Sequence, residues 1–368
     1  MKNSCLLYLR KKVRPTLIFA LLVFVFSLYL HAASIQCEWT DIEKIVAVGD
    51  LHGDYKNFVK ILRGTKLIDK ELHWKGGKTH LVQIGDIMDR GPNAKKIFDL
   101  LMRLEKEAEE VGGKVHVLLG NHEEMNITGI AFDYEGYVTV EQFVSFLPEK
   151  YREKKEKEFA KKEQKKGLQS SDSDSPSSKD FMDYWKEIRD DARKESNHPA
   201  RKQYTFNFDK TYGKWILDKN VVIKINDMVF VHGGISEKFS TWELKDINNV
   251  ARRELDAFRQ AVVFSAPLQL RNRRIVYEPS GPLWYRGLAQ RGDDFKETVD
   301  KILENLKAKY MIIAHTPRVI ESMDDMSRFD GRIWIIDTGI GDAYGGHLSA
   351  LIINSGEFDV WPPRLRRK

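Results

Sequence analysis

Lys44-Ile-Val-Ala-Val48 runs straight into Gly49-Asp50-Leu51-His52-Gly53-Asp54. The apolar run makes a buried strand and Gly49-Asp50 ends it. Asp54 is placed to N-cap a helix with Phe58, Ile61 and Leu62 on its apolar face and Gly64 closing it. The same layout recurs twice. His80-Leu-Val-Gln-Ile84 ends in Gly85-Asp86, and Lys114-Val-His-Val-Leu-Leu119 ends in Gly120-Asn121. Between them Asn93 is placed to cap a long helix with Ile97, Leu100, Leu101, Leu104 and Ala108 on one face, stopped by Gly112-Gly113. Strand and helix in alternation define an α/β protein. Ligands of open α/β sheets gather beyond the carboxyl ends of the strands, where Asp50, Asp86 and Asn121 fall.

Further along, strands are expected at Met228-Val-Phe-Val231, ending at His232, and at Tyr310-Met-Ile-Ile-Ala314, ending at His315. Ile333-Trp-Ile-Ile336 and Ala350-Leu-Ile-Ile353 complete the set, with helices over about 242–264 and 294–306. Residues 148–202 break this rhythm. Their first half is a charged run and their middle, LQSSDSDSPSSKD, is low in complexity, so the stretch reads as an insertion: a solvated helix joined to a partly disordered Ser-rich loop. A docking or regulatory role, with phosphate on the Ser cluster, is the sharper reading of the same stretch.

With 368 residues, 42% hydrophobic and 11% aromatic, the chain has material for a full-sized core. Lys+Arg 60 against Asp+Glu 54 leaves only +6, too mild an excess to call for nucleic acid. Two cysteines, Cys5 and Cys37, exclude a disulfide scaffold and a thiolate zinc site. Lys2, Arg10, Lys11, Lys12 and Arg14 precede an apolar run over 16–30, followed by Ala32-Ala33-Ser34. Residues 1–34 therefore read as a signal peptide cut before Ile35, or as an uncleaved membrane anchor, although about 15 apolar residues fall short of the roughly 20 that span a bilayer. A lipid-bearing Cys37 is a third possibility, poorly supported by Ile35-Gln36. Both main readings export the 35–368 body to a periplasmic, secreted or lumenal space, or tether it outside the cytoplasm.

The polar residues just past apolar strands are Asp50, His52, Asp86, Asn121, His232 and His315. Carboxylates, imidazoles and one amide oxygen, without thiolate, suit Mn, Fe or Zn. Six ligands exceed what one open catalytic ion takes, so two ions are expected, bridged by one carboxylate and supplying a bridging hydroxide for in-line attack on a phosphate ester. Arg90 is placed to balance phosphoryl charge. His122 is the evident donor to the leaving oxygen, with Asp89 fixing its tautomer and raising its pKa. An isolated buried Asp or His is more often structural than catalytic; the repetition at strand ends is what points to chemistry here.

Gly49-Asp50-Leu51-His52-Gly53, Gly85-Asp86-Ile87-Met88-Asp89-Arg90-Gly91 and Gly120-Asn121-His122-Glu123 resemble the three signature blocks of the phosphoprotein phosphatase superfamily of metallophosphoesterases. His232-Gly233-Gly234 and Ala314-His315 match its two later ligand positions. The resemblance implies a calcineurin-like fold, a central β-sandwich of mixed sheets flanked by helices. It implies Asp50, His52 and Asp86 on one metal and Asp86, Asn121, His232 and His315 on the other, with Asp89 and His122 as acid pair and Arg90 as phosphate clamp. Arg286, in Gly281-Pro-Leu-Trp-Tyr-Arg286-Gly287, resembles a second clamp. Leu119 stands where eukaryotic Ser/Thr members have Arg, and Ile336-Asp337-Thr338-Gly339 replaces their C-terminal segment. The pattern is most similar to the bacterial-type Shewanella-like phosphatases. The expected activity is a metal-dependent protein phosphatase, on Ser/Thr or Tyr, taking a phosphorylated protein or a small phosphoester. A dinucleoside polyphosphate hydrolase and a silent phosphate-binding module are the alternatives. Asp337 and Tyr344 fit either site lining or strand-end capping. Trp284, Tyr285 and Trp334 read as core or pocket wall, and His73, His80, His116, His198 and His347 as ordinary.

Overall fold

The computed structural model describes residues 35–167, 178–264 and 275–365. Five strands form one mixed sheet, in the order Glu357–Trp361 (β11), Ala350–Asn354 (β10), Lys44–Val48 (β2), His80–Gln83 (β3), Lys114–Val117 (β4). Six form the other, in the order Glu38–Trp39 (β1), Val222–Ile225 (β5), Met228–Val231 (β6), Tyr310–Ile313 (β7), Ile333–Ile335 (β9), Ser327–Arg328 (β8). In the first, β2 (Lys44–Val48), β3 (His80–Gln83) and β4 (Lys114–Val117) run parallel. In the second, β6 (Met228–Val231), β7 (Tyr310–Ile313) and β9 (Ile333–Ile335) do the same. These six strands are buried almost throughout, as the unbroken Val/Ile/Leu runs require of parallel strands covered on both faces. One continuous hydrophobic core takes side chains from both sheets.

Helices Tyr55–Gly64 and Ala94–Glu110 make the two crossovers of the first sheet. Asp54 caps the first as expected, accepting the Asn57 N–H at 2.9 Å. Asn93 does not cap the second: it holds the N-cap position without a side-chain bond, and its own N–H donates to Gly53 O at 3.0 Å, tying the helix start to the β2 loop.

Two hairpins lay beyond the reach of the apolar-run reading. β5 (Val222–Ile225) returns into β6 through Asn226-Asp227, with Asn226 at φ 56°. β10 (Ala350–Asn354) returns into β11 (Glu357–Trp361) through Ser355 and Gly356, both at positive φ. Two central residues of that hand match the twist of antiparallel strands. β11 alternates polar and apolar along a sheet edge and so never shows an apolar run. The short strands β1 (Glu38–Trp39) and β8 (Ser327–Arg328) complete the edges of the other sheet.

Helix Glu149–Gly167 is largely exposed, as its charge demands. The next stretch is not a passive continuation. In helix Ser178–Lys194 the residues Phe181, Trp185, Ile188 and Ala192 fall on one stripe, with Trp185 and Ala192 fully buried. Charges between them hide this face from a composition reading. Helix Pro199–Phe208 follows and buries Tyr204 and Phe208. The Ser-rich stretch 168–177 and the expected N-terminal signal or anchor, 1–34, lie outside the described residues. No described helix is long and apolar enough to cross a membrane.

Candidate metal centre and active site

The carboxyl ends of the two parallel strand sets meet at one place. Asp50 and His52 follow β2, Asp86 follows β3, Asn121 and His122 follow β4, His232 follows β6 and His315 follows β7. Glycine makes this possible because the backbones touch: a Cβ on Gly120 would sit 2.1 Å from Asp86 Oδ1, and one on Gly53, at φ 71°, 2.5 Å from the Gly91 carbonyl. The loops are strained as well. His52, Asp86, Asp89, Arg90 and His315 all adopt positive φ, a conformation that non-glycine residues hold only when their surroundings enforce it.

Glu123 does much of that enforcing. Its carboxylate accepts the N–H groups of Gly120 (2.9 Å), Asp86 (2.9 Å), Ile87 (2.9 Å) and Met88 (3.2 Å), joining the start of helix Asn121–Thr128 to the loop after β3. Its motif was visible in the sequence, but its role needed the fold.

All six expected ligands are buried and converge. His232 Nε2 lies 3.0 Å from Asn121 Oδ1 and 3.3 Å from Asp86 Oδ2. His52 Nε2 lies 3.8 Å from Asp86 Oδ2 and 3.9 Å from Asp50 Oδ2, and the His315 N–H reaches Asp50 Oδ1 at 3.4 Å. Asp86, His232 and His315 form one cluster of closely spaced ligand atoms, and Asp86 with His52 and His122 forms another. Asp86 belongs to both.

The orientation of the imidazoles fits bound cations. His232 Nδ1 donates to Ile84 O at 2.9 Å and His52 Nδ1 to Met88 O at 3.1 Å, which turns the Nε2 atom of each ring inward. Those Nε2 atoms face carboxylate and amide oxygens, a donor set suited to a bound cation. His315 Nε2 is buried and has no hydrogen-bond partner. Burial, with His232 and Arg286 close by, lowers the His315 pKa to about 2; burial, then His122, lowers that of His52 to about 3. Both are held neutral, the form that ligates metal. For Asp86, burial pushes the pKa up but the surrounding His232 and His122 outweigh it, keeping the carboxylate ionised. Asp337, past β9, hydrogen-bonds Asp50, and burial raises the pKa of both. Asp337 thus lines the site.

His122 and Asp89 form the expected pair, Nδ1 to Oδ2 at 2.8 Å. Burial alone would lower the His122 pKa; Asp86 and Asp89 overcome it and raise it. Asp89 is itself seated by residues that no motif announced. Asn126 Nδ2 donates to its Oδ2 at 2.9 Å, Gln142 Nε2 to its Oδ1 at 2.8 Å, and its N–H donates to Gln142 Oε1 at 2.8 Å. The buried Tyr204 hydroxyl donates to Asn126 Oδ1 at 3.0 Å.

Arg90 rises beside the cluster with its guanidinium 4.3 Å from the Tyr137 ring and 5.0 Å from the Tyr344 ring. Arg286 comes from the other side. Its Nη1 donates to His315 O at 2.8 Å and to Thr316 Oγ1 at 3.0 Å, and Trp284 packs edge-on against His315. Beyond Arg286 a cleft of about 750 Å³ opens between Tyr134, Tyr277, Trp284, Tyr285 and Arg291. Trp284 is therefore pocket wall, whereas Trp334 is buried and stacked on Phe358. His80 and His116 bond each other at 2.9 Å, away from this site.

A family model described as calcineurin-like phosphoesterase matches residues 43–319. The chain belongs to that family. It is accordingly a metal-dependent phosphatase, and it is similar to the Shewanella-like phosphatases of the phosphoprotein phosphatase type. It is similar to Shewanella-like protein phosphatase 2 of Arabidopsis thaliana, 33% identical over 233 residues, which are 61% of this chain and 55% of the relative. It is also similar to Shewanella-like protein phosphatase 1 of Plasmodium berghei, 24% identical over 304 residues, 81% of this chain and 67% of the relative. Among solved structures, a cold-active protein-tyrosine phosphatase of a psychrophilic Shewanella shares the fold, with a TM-score of 0.59 and 23% identity over 89% of this chain and 84% of that one.

Proposed function

We propose that this phosphoesterase removes phosphate from phosphorylated proteins, with His122 as general acid, Asp89 as its partner, and Arg90 and Arg286 holding the phosphoryl group. Two ions, of Mn, Fe or Zn, would be held by Asp50, His52, Asp86, Asn121, His232 and His315, with Asp86 shared. When bound they supply Lewis-acid polarisation of phosphoryl oxygens and acidify water.

The chain's own groups account for the rest. Asp89 accepts a hydrogen bond from the Nδ1–H of His122, which leaves the Nε2–H free to pass to the departing oxygen. Asn126 and Gln142 hold the Asp89 carboxylate on both oxygens, so the imidazole does not swing. Arg286, steadied from behind by His315 O and Thr316, keeps its remaining N–H groups for phosphoryl oxygens. The cleft next to it has room for the residues around a phosphorylated side chain, which supports a polypeptide substrate. The names of the relatives support the same class. Carrying the proposal is one observation: two buried clusters of metal-type donors that share Asp86, beside a hydrogen-bonded His122–Asp89 pair.

Residues 1–34, basic and then apolar, support export of this domain, released or tethered. The test of function is phosphate release from phosphoseryl, phosphothreonyl and phosphotyrosyl peptides beside a dinucleoside tetraphosphate, with and without chelator. Chelator-sensitive turnover of peptides is expected. Turnover of the dinucleotide alone would overturn the substrate class.

A further inference from the structure

The Arg90 guanidinium has an unusual mounting for a phosphate anchor. Its Nε is buried without a hydrogen-bond partner among the described residues, and two aromatic rings lie against the guanidinium, Tyr137 at 4.3 Å and Tyr344 at 5.0 Å. Stacking between rings fixes the plane of a guanidinium while leaving its N–H edge free. Tyr137 is the nearer ring. Its carbonyl also accepts the Arg90 backbone N–H at 2.7 Å, and its ring lies 4.8 Å from that of His122, tilted by 34°.

Tyr137 belongs to the loop 129–138, and arginines grip that loop at both ends. Arg189 Nη1 donates to Val138 O at 2.6 Å. Arg201 Nη2 donates to Gly129 O at 2.7 Å, and Arg201 also pairs with Asp133 and covers the Phe132 ring. Arg189 sits in helix Ser178–Lys194 and Arg201 in helix Pro199–Phe208, so both grips come from the region after the charged helix. Buried Trp185 and Ala192 seat the first of these helices.

We propose that Tyr137 is a positioning residue for Arg90, and that helix Ser178–Lys194 sets phosphate affinity by holding Tyr137 in place through Arg189. This rests on the reading of Arg90 as a phosphate-binding group. The region that looks like an insertion is then a brace for the active site, and whatever displaces it weakens phosphate binding.

The experiment uses the full chain with Mn²⁺. It measures inorganic phosphate binding by titration calorimetry, KM and kcat on a phosphopeptide, and Tm as a check on folding. Tyr137→Leu should raise the phosphate Kd and KM by about tenfold, with a smaller effect on kcat. Tyr137→Phe keeps the ring and should restore most of that affinity. Arg189→Ala should weaken phosphate binding in the same direction by roughly threefold, and should add little to Tyr137→Leu. In an Arg90→Ala background, Tyr137→Leu should change the phosphate Kd by less than about twofold. Full additivity of the Tyr137 and Arg90 effects would overturn the proposal, as would a folded Arg189→Ala protein with unchanged phosphate affinity. Unchanged affinity in Arg90→Ala alone would instead remove the phosphate-anchor reading, and the proposal with it.

Discussion

Replacing Asp89 by Asn tests the acid pair at one atom. The Asp89 Oδ2 accepts from His122 Nδ1 at 2.8 Å and from Asn126 at 2.9 Å, while Oδ1 accepts from Gln142 at 2.8 Å. An amide offers one acceptor oxygen against these donors, and its NH₂ must face either His122 or the Gln142 side. The bond to His122 is charge-assisted and worth about 1.5–3 kcal/mol. Lost from the transition state for leaving-group departure, that converts to a decrease in kcat of roughly 10- to 150-fold. The dependence on leaving group is the sharper readout. A seryl alkoxide needs a proton to leave, whereas a nitrophenolate does not. Asp89→Asn should therefore lose kcat on a phosphoserine peptide and lose far less on a nitrophenyl phosphate. The sign with pH follows from the raised His122 pKa: the acid form persists to higher pH in the native protein, so the variant's alkaline limb should move to lower pH. Equal losses on both substrates, at unchanged metal content, would refute the role given to Asp89.

Other perturbations have defined outcomes. His122→Asn should retain metal by elemental analysis and lose about 10²–10⁴ in kcat, again mainly on poor leaving groups. Asp86→Asn removes the carboxylate common to both ligand clusters and should reduce metal content and turnover together. Glu123→Gln turns an NH₂ toward backbone N–H groups that the carboxylate now accepts, and urea melts should show a loss of about 2–3 kcal/mol. Burial raises the Glu124 pKa from 4.5 to about 8, so the fold retains a proton that the unfolded chain gives up. That stabilisation is complete below pH 4.5 and is lost as pH rises toward 8, by up to ~5 kcal/mol. Thermal melts of Glu124→Gln should accordingly show a flatter fall in Tm from pH 5 to 8.5 than the native chain; parallel curves would count against a buried neutral Glu124.

Much of the site was legible because its residues sit where local sequence ends a strand. Apolar runs closing in Gly-Asp, Gly-Asn or His expose Asp50, Asp86, Asn121, His232 and His315 without any knowledge of how the sheets meet. The groups that hold these residues were not legible in that way. Gln142 and Tyr204 reach Asp89 from 53 positions away and, through Asn126, from farther still, and neither stands in a recurring pattern. Tyr137 follows a glycine in a loop, with nothing local to mark it as the face on which Arg90 rests. Apolar content also misplaced structural weight. Trp185 lies among charges in a stretch that reads as a solvated, partly disordered insertion, and β11 alternates along an edge, so helix Ser178–Lys194 and the last hairpin emerged only with the fold.

Metal content and turnover measured on the same sample bear most directly on the central claim. Purified protein loaded with Mn²⁺ would be assayed for bound ions by elemental analysis and for phosphate release from phosphopeptides, before and after chelation. About two ions per chain are expected, with peptide turnover that disappears with them and recovers when Mn²⁺ is returned. Turnover that survives complete removal of metal, or none on any phosphoester with the ions in place, would contradict it.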